Sequence, residues 1–214
     1  MKKSILFSLS IFCLSLGAMA QKNLKLHYDF SDVSVSKVIK DKSGNGFDGT
    51  LKNSAELDKV GNCNVLNLGF SNGYVDMGAK VGNLIGALSD FTVSTYIYID
   101  GSTNLSDYGN FIWTFSNSDN MQRDVNGCMF FSAKTEGYSI SKTDNNGEHT
   151  LAKARHMKTL EWMHVAYAQE GSKGRVFVNG KLTQEGEISL LPKELGKTAF
   201  NYIDRSPYSD DRYL

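Results

Sequence analysis

Apolar and polar residues alternate over short runs along most of this chain. The clearest run is Phe91-Thr92-Val93-Ser94-Thr95-Tyr96-Ile97-Tyr98-Ile99. Side chains alternate across a strand, so Phe91, Val93, Thr95, Ile97 and Ile99 share one face, and Thr92, Ser94, Tyr96 and Tyr98 the other. The first face is aliphatic and suits sheet packing. The second is polar and aromatic, and either meets solvent or lines a groove. Runs of this kind predict strands over Lys25–Phe30, Val65–Leu68, Tyr74–Met77, Phe91–Ile99, Phe111–Phe115, Cys128–Ala133, Tyr138–Lys142, Trp162–Ala168, Arg175–Val178 and Lys181–Gln184. Turn signals recur between them about every ten to fifteen residues, as a β-sandwich requires. Five are Asn-Gly pairs: Asn45-Gly46, Asn72-Gly73, Asn126-Gly127, Asn146-Gly147 and Asn179-Gly180. The last, between Val178 and Lys181, predicts a two-residue type I′ turn, which needs positive φ at both central residues. No sustained helical period appears. Ala152–Leu160 allows a turn or two, and Arg155-His156 interrupts any apolar stripe there. Pro192 and Pro207 fall in predicted loops, with no internal repeat, low-complexity stretch or linker. The pattern is that of one all-β domain.

The N-terminus follows another logic. Lys2 and Lys3 precede an apolar run from Ile5 to Leu16, then Ala18-Met19-Ala20, a small-x-small cleavage site before Gln21. A signal peptide over residues 1–20 and a mature domain over 21–214 are expected. The apolar run is too short to span a bilayer comfortably, and no lipidation box precedes Cys13. The mature protein is therefore expected to be exported, to the periplasm, the cell surface or the medium, and not to span the membrane. Export permits a disulfide between the two remaining cysteines, Cys63 and Cys128. Two packed free thiols are the alternative.

Of the 214 residues, 41% are hydrophobic and 21% charged, enough apolar material for a core and unlike a disordered chain. Lys+Arg and Asp+Glu balance at 23 each with no basic cluster, so nothing offers a footprint for nucleic acid.

Candidate chemistry is sparse. Gly69-Phe70-Ser71-Asn72-Gly73 has the spacing of a nucleophile elbow, but a predicted strand leads out of it where the elbow needs a helix. It reads as a glycine-rich hairpin. Ser34-x-x-Lys37, Ser118-Asp119-Asn120 and Lys134-Thr135 have spacings found in penicillin-recognising enzymes, yet Glu136 stands where the third motif needs glycine. His27, His149, His156 and His164 form no metal-ligand pair at helical spacing. In Asp41-Lys42-Ser43-Gly44-Asn45-Gly46, oxygen side chains alternate and a glycine follows, like the front of an EF-hand loop. Lys52 replaces the closing glutamate and no helices flank it. Either a glycine turn or a partial calcium site remains, the latter built from Asp41 and Asn45 with Asp48 and Asp29.

Several pieces in order carry a family resemblance. They are Leu26-His27-Tyr28-Asp29-Phe30, the loop from Asp41 to Leu51, Gly73-Tyr74-Val75-Asp76-Met77-Gly78, Phe91–Tyr96, and Trp162-Met163-His164-Val165-Ala166 followed by Val178-Asn179-Gly180. Together they resemble laminin-G-like domains of the concanavalin A-like lectin/glucanase superfamily, of the kind that exported Bacteroidetes proteins carry fused to glycoside hydrolases. The resemblance implies a jelly-roll sandwich of two antiparallel sheets. It implies a non-catalytic accessory domain that binds a polysaccharide or glycan, beside a linked or partner hydrolase, with a calcium ion in some relatives. Sugar binding calls for aromatic faces beside planar hydrogen-bonding groups, which nominates Tyr108, Trp113, Arg205, Tyr208, Asp211 and Tyr213. Trp113 alternates with Phe111 and Phe115 on one face and reads first as core, and the C-terminal cluster suits a solvated loop equally well.

Two departures from the resemblance stand out. Asp204 holds the usual glycine position of a turn, and Asp tolerates positive φ. The family also continues past the equivalent of Leu214 into a strand beside the first, so the domain is expected to be incomplete at its C-terminus, with the edge of Lys25–Phe30 exposed. That edge motivates an alternative function, an adhesion or interaction module completed by a partner strand. A glycoside hydrolase or lyase is a third. Glu56-Leu57-Asp58-Lys59-Val60 resembles the front of a laminarinase-type catalytic strand, but Gly61 and Asn62 follow where the second acid belongs, and the segment reads as a loop.

Overall fold

The computed structural model describes residues 23–32, 37–70 and 72–214. The expected signal peptide lies outside them, as do Ser34 and Ser71 of the two serine motifs. Within them the chain forms β1 Val38–Ile39, β2 Gly49–Lys52, β3 Glu56–Val60, β4 Cys63–Asn67, β5 Tyr74–Asp76, a short helix α1 Val81–Ile85, β6 Phe91–Tyr98, β7 Phe111–Ser116 and β8 Cys128–Ser132. There follow β9 Gly137–Ser141, β10 His149–Leu151, β11 Trp162–Glu170, β12 Lys173–Val178, β13 Lys181–Glu187 and β14 Phe200–Ile203. An eight-stranded sheet runs β1-β2-β5-β14-β7-β8-β9-β10, a four-stranded sheet runs β13-β12-β11-β6, and β3 and β4 form a separate hairpin. All ladders between named strands are antiparallel. No described helix is long and apolar enough to cross a membrane.

The two sheets face each other across one core. Tyr138 of β9 stacks on Tyr167 of β11 with ring centroids 3.8 Å apart, and Phe91 of β6 packs against both. These rings join the sheets. β7, β8 and β9 are buried on both faces, which is why their sequences are rich in apolar and small residues throughout. β6 keeps a strict one-sided alternation, with Thr92, Ser94, Tyr96 and Tyr98 facing solvent. That settles which of the two roles its second face takes. Asn179 and Gly180 both have positive φ (50° and 74°) and join Val178 to Lys181 as a two-residue turn.

Several expectations need correction. Lys25–Phe30 forms no ladder. Instead His27 donates its N–H to Asp41 Oδ1 at 3.1 Å, its carbonyl accepts from Lys42, and Phe30 takes φ 54°. Leu26, Tyr28 and Phe30 pack on the core from this irregular course. Glu56–Val60 is not a loop but β3, paired with β4 over its whole length. Its residues are mostly exposed and carry little burial pattern; the hairpin is held by backbone pairing and by Leu57 of β3 and Leu66 of β4 packing on the core. β14 separates β5 from β7 in the middle of the large sheet. Its Phe-Asn-Tyr-Ile is buried at Asn201 and Tyr202 on opposite faces, which erases alternation.

Phe111, Trp113 and Phe115 do not share a face. A bulge puts Phe111 opposite Ser132 and Trp113 opposite the preceding Phe131. Phe111 then stacks on Phe130 (3.9 Å) on the far side of the sheet, while Trp113 and Phe115 enter the core. Cys63 is exposed and Cys128 buried, and both are free thiols.

Candidate functional site

The face of the eight-stranded sheet turned away from the core mixes polar residues with a second apolar cluster of Phe111, Val125, Cys128 and Phe130. The register aligns Thr50, Asp76, Tyr202, Thr114, Phe130, Ser139 and Thr150 across it, one from each of seven adjacent strands. A core-facing row would be apolar. This one holds hydroxyls, a carboxylate and rings; Thr114, Phe130, Ser139 and Tyr202 are buried, and Thr50, Asp76 and Thr150 reach solvent.

Residues 205–214 cross this face as a strap. On one side Met121 N–H donates to Pro207 O (3.1 Å) and Ser209 N–H to Met121 O (3.0 Å). On the other, Asn110 N–H donates to Arg212 O (2.9 Å) and Arg212 N–H to Tyr108 O (3.0 Å). The Arg205 guanidinium sits 4.5 Å from the centre of the Tyr202 ring and 5.0 Å from that of Tyr74, and donates to Asp119 Oδ2 at 3.1 Å. Tyr213 leans on Tyr74 with centroids 6.0 Å apart. Tyr208 packs against Phe111, Val125, Cys128 and Phe130. Asp211 accepts from Ser206 Oγ at 2.5 Å.

The strap thus carries Arg205, Tyr208, Asp211 and Tyr213, with Arg205 and Tyr213 against Tyr74 and Tyr208 in the apolar cluster. Tyr108 stands beside them at the rim, exposed, with the Lys134 ammonium 4.3 Å above its ring. Trp113 does not belong: it is 5% exposed, among Phe115, Phe131 and Tyr138. It cannot offer a ring face to a sugar on this side of the sheet. The structure adds Tyr74, Tyr202, Asp119, Ser139 and Glu148; Tyr74 and Asp119 fall in sequence pieces noted for other reasons, and nothing local assigns any of the five to this face. Only the pairing of distant strands assembles them.

Four buried polar atoms among the described residues lack a hydrogen-bond partner: Asn110 Oδ1, Thr114 Oγ1, Asp119 Oδ1 and Tyr208 OH. Asp119 Oδ1 lies 3.0 Å from Arg205 but out of line with its N–H bonds. All four belong to the strap, the loops that pin it, or β7 beneath. Unmet hydrogen-bonding capacity concentrated under one segment marks a place where water or a polar ligand fits.

Electrostatics agree. Burial, then the nearby Asp211, pushes the Glu148 carboxyl above its ordinary range. Burial, then Asp210, does the same to Asp211 against the pull of Ser206. Burial with both carboxylates drives the Cys128 thiol up to about 12, so it is an inert packing group. Burial opposes charge on Arg205, but Tyr202 and Asp119 outweigh it and the guanidinium stays firmly protonated.

Asp204, at the base of the strap, has φ 68° and a 1% exposed carboxyl that accepts from Leu214 N–H at 2.7 Å. Burial raises its pKa well above the usual value despite that bond. A raised carboxyl stabilises the fold fully below the unfolded value, about 3.9, and that contribution is lost as pH rises through the folded value. Asp204→Asn keeps the shape and tolerates positive φ. It is expected to gain stability over the wild type steadily from about pH 4 upward. Thermal melts across pH test this, and a gap independent of pH would refute it.

The loop nominated for calcium is already committed. Asp41 accepts from the backbone N–H groups of His27, Ser43 and Phe47 and from Ser43 Oγ at 2.8–3.1 Å. Asp48 accepts from Lys40 Nζ and Asp41 N–H, and Asp29 from Ser31. Asn45 turns its amide N–H toward the carbonyls of Leu24 and Lys25. Donors aimed at these oxygens occupy the lone pairs a hard cation needs, so the set does not fit calcium as arranged. Its evident work is to tie the irregular N-terminal segment to the sandwich.

Against known proteins, the family described as the concanavalin A-like lectin/glucanases superfamily matches residues 70–214. No curated protein matches the chain. Among solved structures, it resembles domain 4 of AbnA, a GH43 extracellular arabinanase from Geobacillus stearothermophilus in complex with arabinotriose. The identity is 13% with a TM-score of 0.60, over 88% of this chain and 85% of that one. The binding domain of Paraclostridial Mosquitocidal Protein 1 follows at 14% identity and TM-score 0.53, over 90% of this chain and 47% of that one. A Trypanosoma rangeli sialidase mutant displaying trans-sialidase activity matches at 13% and 0.51, over 83% of this chain and 27% of that one. At such identities the likeness is one of fold.

Proposed function

The chain belongs to the concanavalin A-like lectin/glucanases superfamily, and from that premise we propose that it is a non-catalytic carbohydrate-binding domain. We take it to act outside the cytoplasm as an accessory to a glycoside hydrolase, linked to it or partnered with it. The observation that carries the reading is the strap-covered sheet face, where unpaired hydrogen-bonding atoms and the Arg205–Asp119 pair lie beside the half-buried Tyr74 and Tyr213 rings. Rings for C–H stacking next to fixed planar groups are what a pyranose or furanose needs. Electrophoresis of the mature protein through gels containing arabinan, xylan, pectin or host glycans tests it. Retardation by at least one is expected, and free migration through all would end the proposal. Sugar release from the same polymers by the purified chain, measured separately, would instead make this an enzyme, with the Glu148 and Asp211 carboxyls the first to substitute.

A second reading has its own support. Among the described residues no strand pairs with the outer edge of β6. Beside that edge Leu26, Phe30, Phe91 and Ile97, all half-buried, line a cleft. An added strand would cover them. β6 bears no charge to protect it. Thr95 faces the cleft side, so Thr95→Lys sets an inward charge on the edge. If the wild type self-associates by light scattering, the variant is expected to remain monomeric. A variant that associates equally would exclude this edge.

A further inference from the structure

The solvent face of the four-stranded sheet carries a second feature, distant in character from the strap. Register places Tyr98 beside Trp162 and Tyr96 beside His164. Their rings lie 5.6 Å and 4.9 Å apart, each pair tilted at 50°. The next row across all four strands is Ser94, Ala166, Phe177 and Leu182. Tyr96 is 74% exposed, Trp162 47% and Tyr98 44%. Cross-strand ring pairs do strengthen a sheet. They do not require their faces to stay open to water, and a contiguous exposed aromatic patch marks a binding surface.

Charge indicates what the patch receives. None of the outward residues of β6 (Thr92, Ser94, Tyr96, Tyr98) or of β11 up to Ala168 (Trp162, His164, Ala166, Ala168) is an acid, lysine or arginine. At the sheet's other end Arg175 and Lys173 pair with Glu185, and Glu170 closes β11 beside Arg175; Lys181 of β13 is the charge at the near end. An ordinary solvent-facing sheet intersperses Lys and Glu, and the outward positions of β6 and of β11 up to Ala168 carry neither. The aromatic residues chosen also carry hydrogen-bonding tips, two phenols, an indole N–H and an imidazole. A protein partner would be met as well by Leu, Met or Arg. An uncharged surface of ring faces rimmed by hydrogen-bond donors matches a neutral sugar chain, which is apolar on its C–H faces and hydroxylated at its edges.

We propose that Tyr96, Tyr98, Trp162 and His164 form a second, uncharged platform that binds a neutral polysaccharide chain by ring stacking, separate from the strap-covered face. This rests on the carbohydrate-binding reading and gives it a ligand class. The test compares the wild type with the double variant Tyr96→Ala/Trp162→Ala and with Tyr213→Ala, in gels of arabinan, xylan and, as a charged control, polygalacturonate. Both platform positions are exposed, and unchanged melting confirms that the fold is kept. Retardation of the wild type by a neutral polymer, weakened about tenfold or more in the double variant, is the expected result. Fluorescence supplies a second readout: the chain has two tryptophans, and Trp113 is buried, so a blue shift on adding neutral oligosaccharide reports Trp162.

Undiminished retardation of the double variant, with loss only in Tyr213→Ala, overturns the platform and leaves sugar binding on the polar face. Binding to polygalacturonate alone overturns it on charge. No retardation of the wild type by any glycan removes both. A double variant that changes oligomeric mass but not glycan affinity makes this face an interface between copies, which also overturns it.

Discussion

Gln169→Leu is expected to lower the stability of the domain by about 3 kcal/mol. Gln169 is 2% exposed at the end of β11. Its amide nitrogen donates to the carbonyls of Gly171, Ile188 and Leu190 at 3.1–3.2 Å, and its oxygen accepts from Tyr167 OH at 2.9 Å. One side chain therefore ties β11 to the segment that follows β13 and orients the tyrosine whose ring joins the two sheets. Leucine fills a similar volume but meets none of these groups. Each buried donor or acceptor left without a partner costs about 1–3 kcal/mol. Part of this is recovered where water reaches Gly171, hence the central figure. For a domain of this size the melting temperature is expected to fall by roughly 6–12 °C. Urea and thermal unfolding measure it. A loss below about 1 kcal/mol would mean that the network is dispensable and the packing of Tyr138 on Tyr167 holds the sheets alone.

That network shows where a linear reading stops. Alternation exposed β6, β11 and β12 because each has one face to a core and one to water. Asn179-Gly180 was legible because two successive positive φ angles leave few other choices. β14 was not, since a strand buried on both sides shows no alternation, and β3 was not, since a polar hairpin shows no apolar row. Phe111 exposes a subtler limit. Alternation puts it on one face with Trp113 and Phe115, both of which do enter the core, but one inserted residue in β7 turns Phe111 to the far side. The C-terminal cluster was legible as a group of residue types. What it faces was not. Tyr74, Asp119 and Glu148 come from separate loops and strands, and only the order β5-β14-β7-β8-β9-β10 places them together. The tyrosines of β6 were visible from the start as an aromatic face without a role. Their partners Trp162 and His164 were visible too, as part of the hairpin that carries the family resemblance, but the two strands had to be laid side by side to make a platform.

Arg205→Ala is expected to cost about 2–3 kcal/mol and to abolish whatever glycan retention the polar face provides. The side chains of Arg205 and Asp119 are only 16% and 20% exposed. Truncating the arginine leaves a carboxylate facing two tyrosine rings with no counter-charge, and breaking a buried pair costs about 3–5 kcal/mol. Residual exposure lowers that figure here. Arg205→Lys restores charge but not a planar group that can lie over Tyr202 and Tyr74 while reaching Asp119, so it is expected to recover only part of the stability. A double-mutant cycle with Asp119→Ala isolates the pair, and a coupling energy near zero would show the contact to be incidental. Tyr213→Ala separates structure from binding. Tyr213 is half-buried and touches Tyr74 at a ring distance of 6.0 Å, so its loss is expected to leave unfolding nearly unchanged. If retention falls in both variants, the strap face binds sugar. If it falls only in Arg205→Ala, the arginine holds the strap in place and the sugar binds elsewhere.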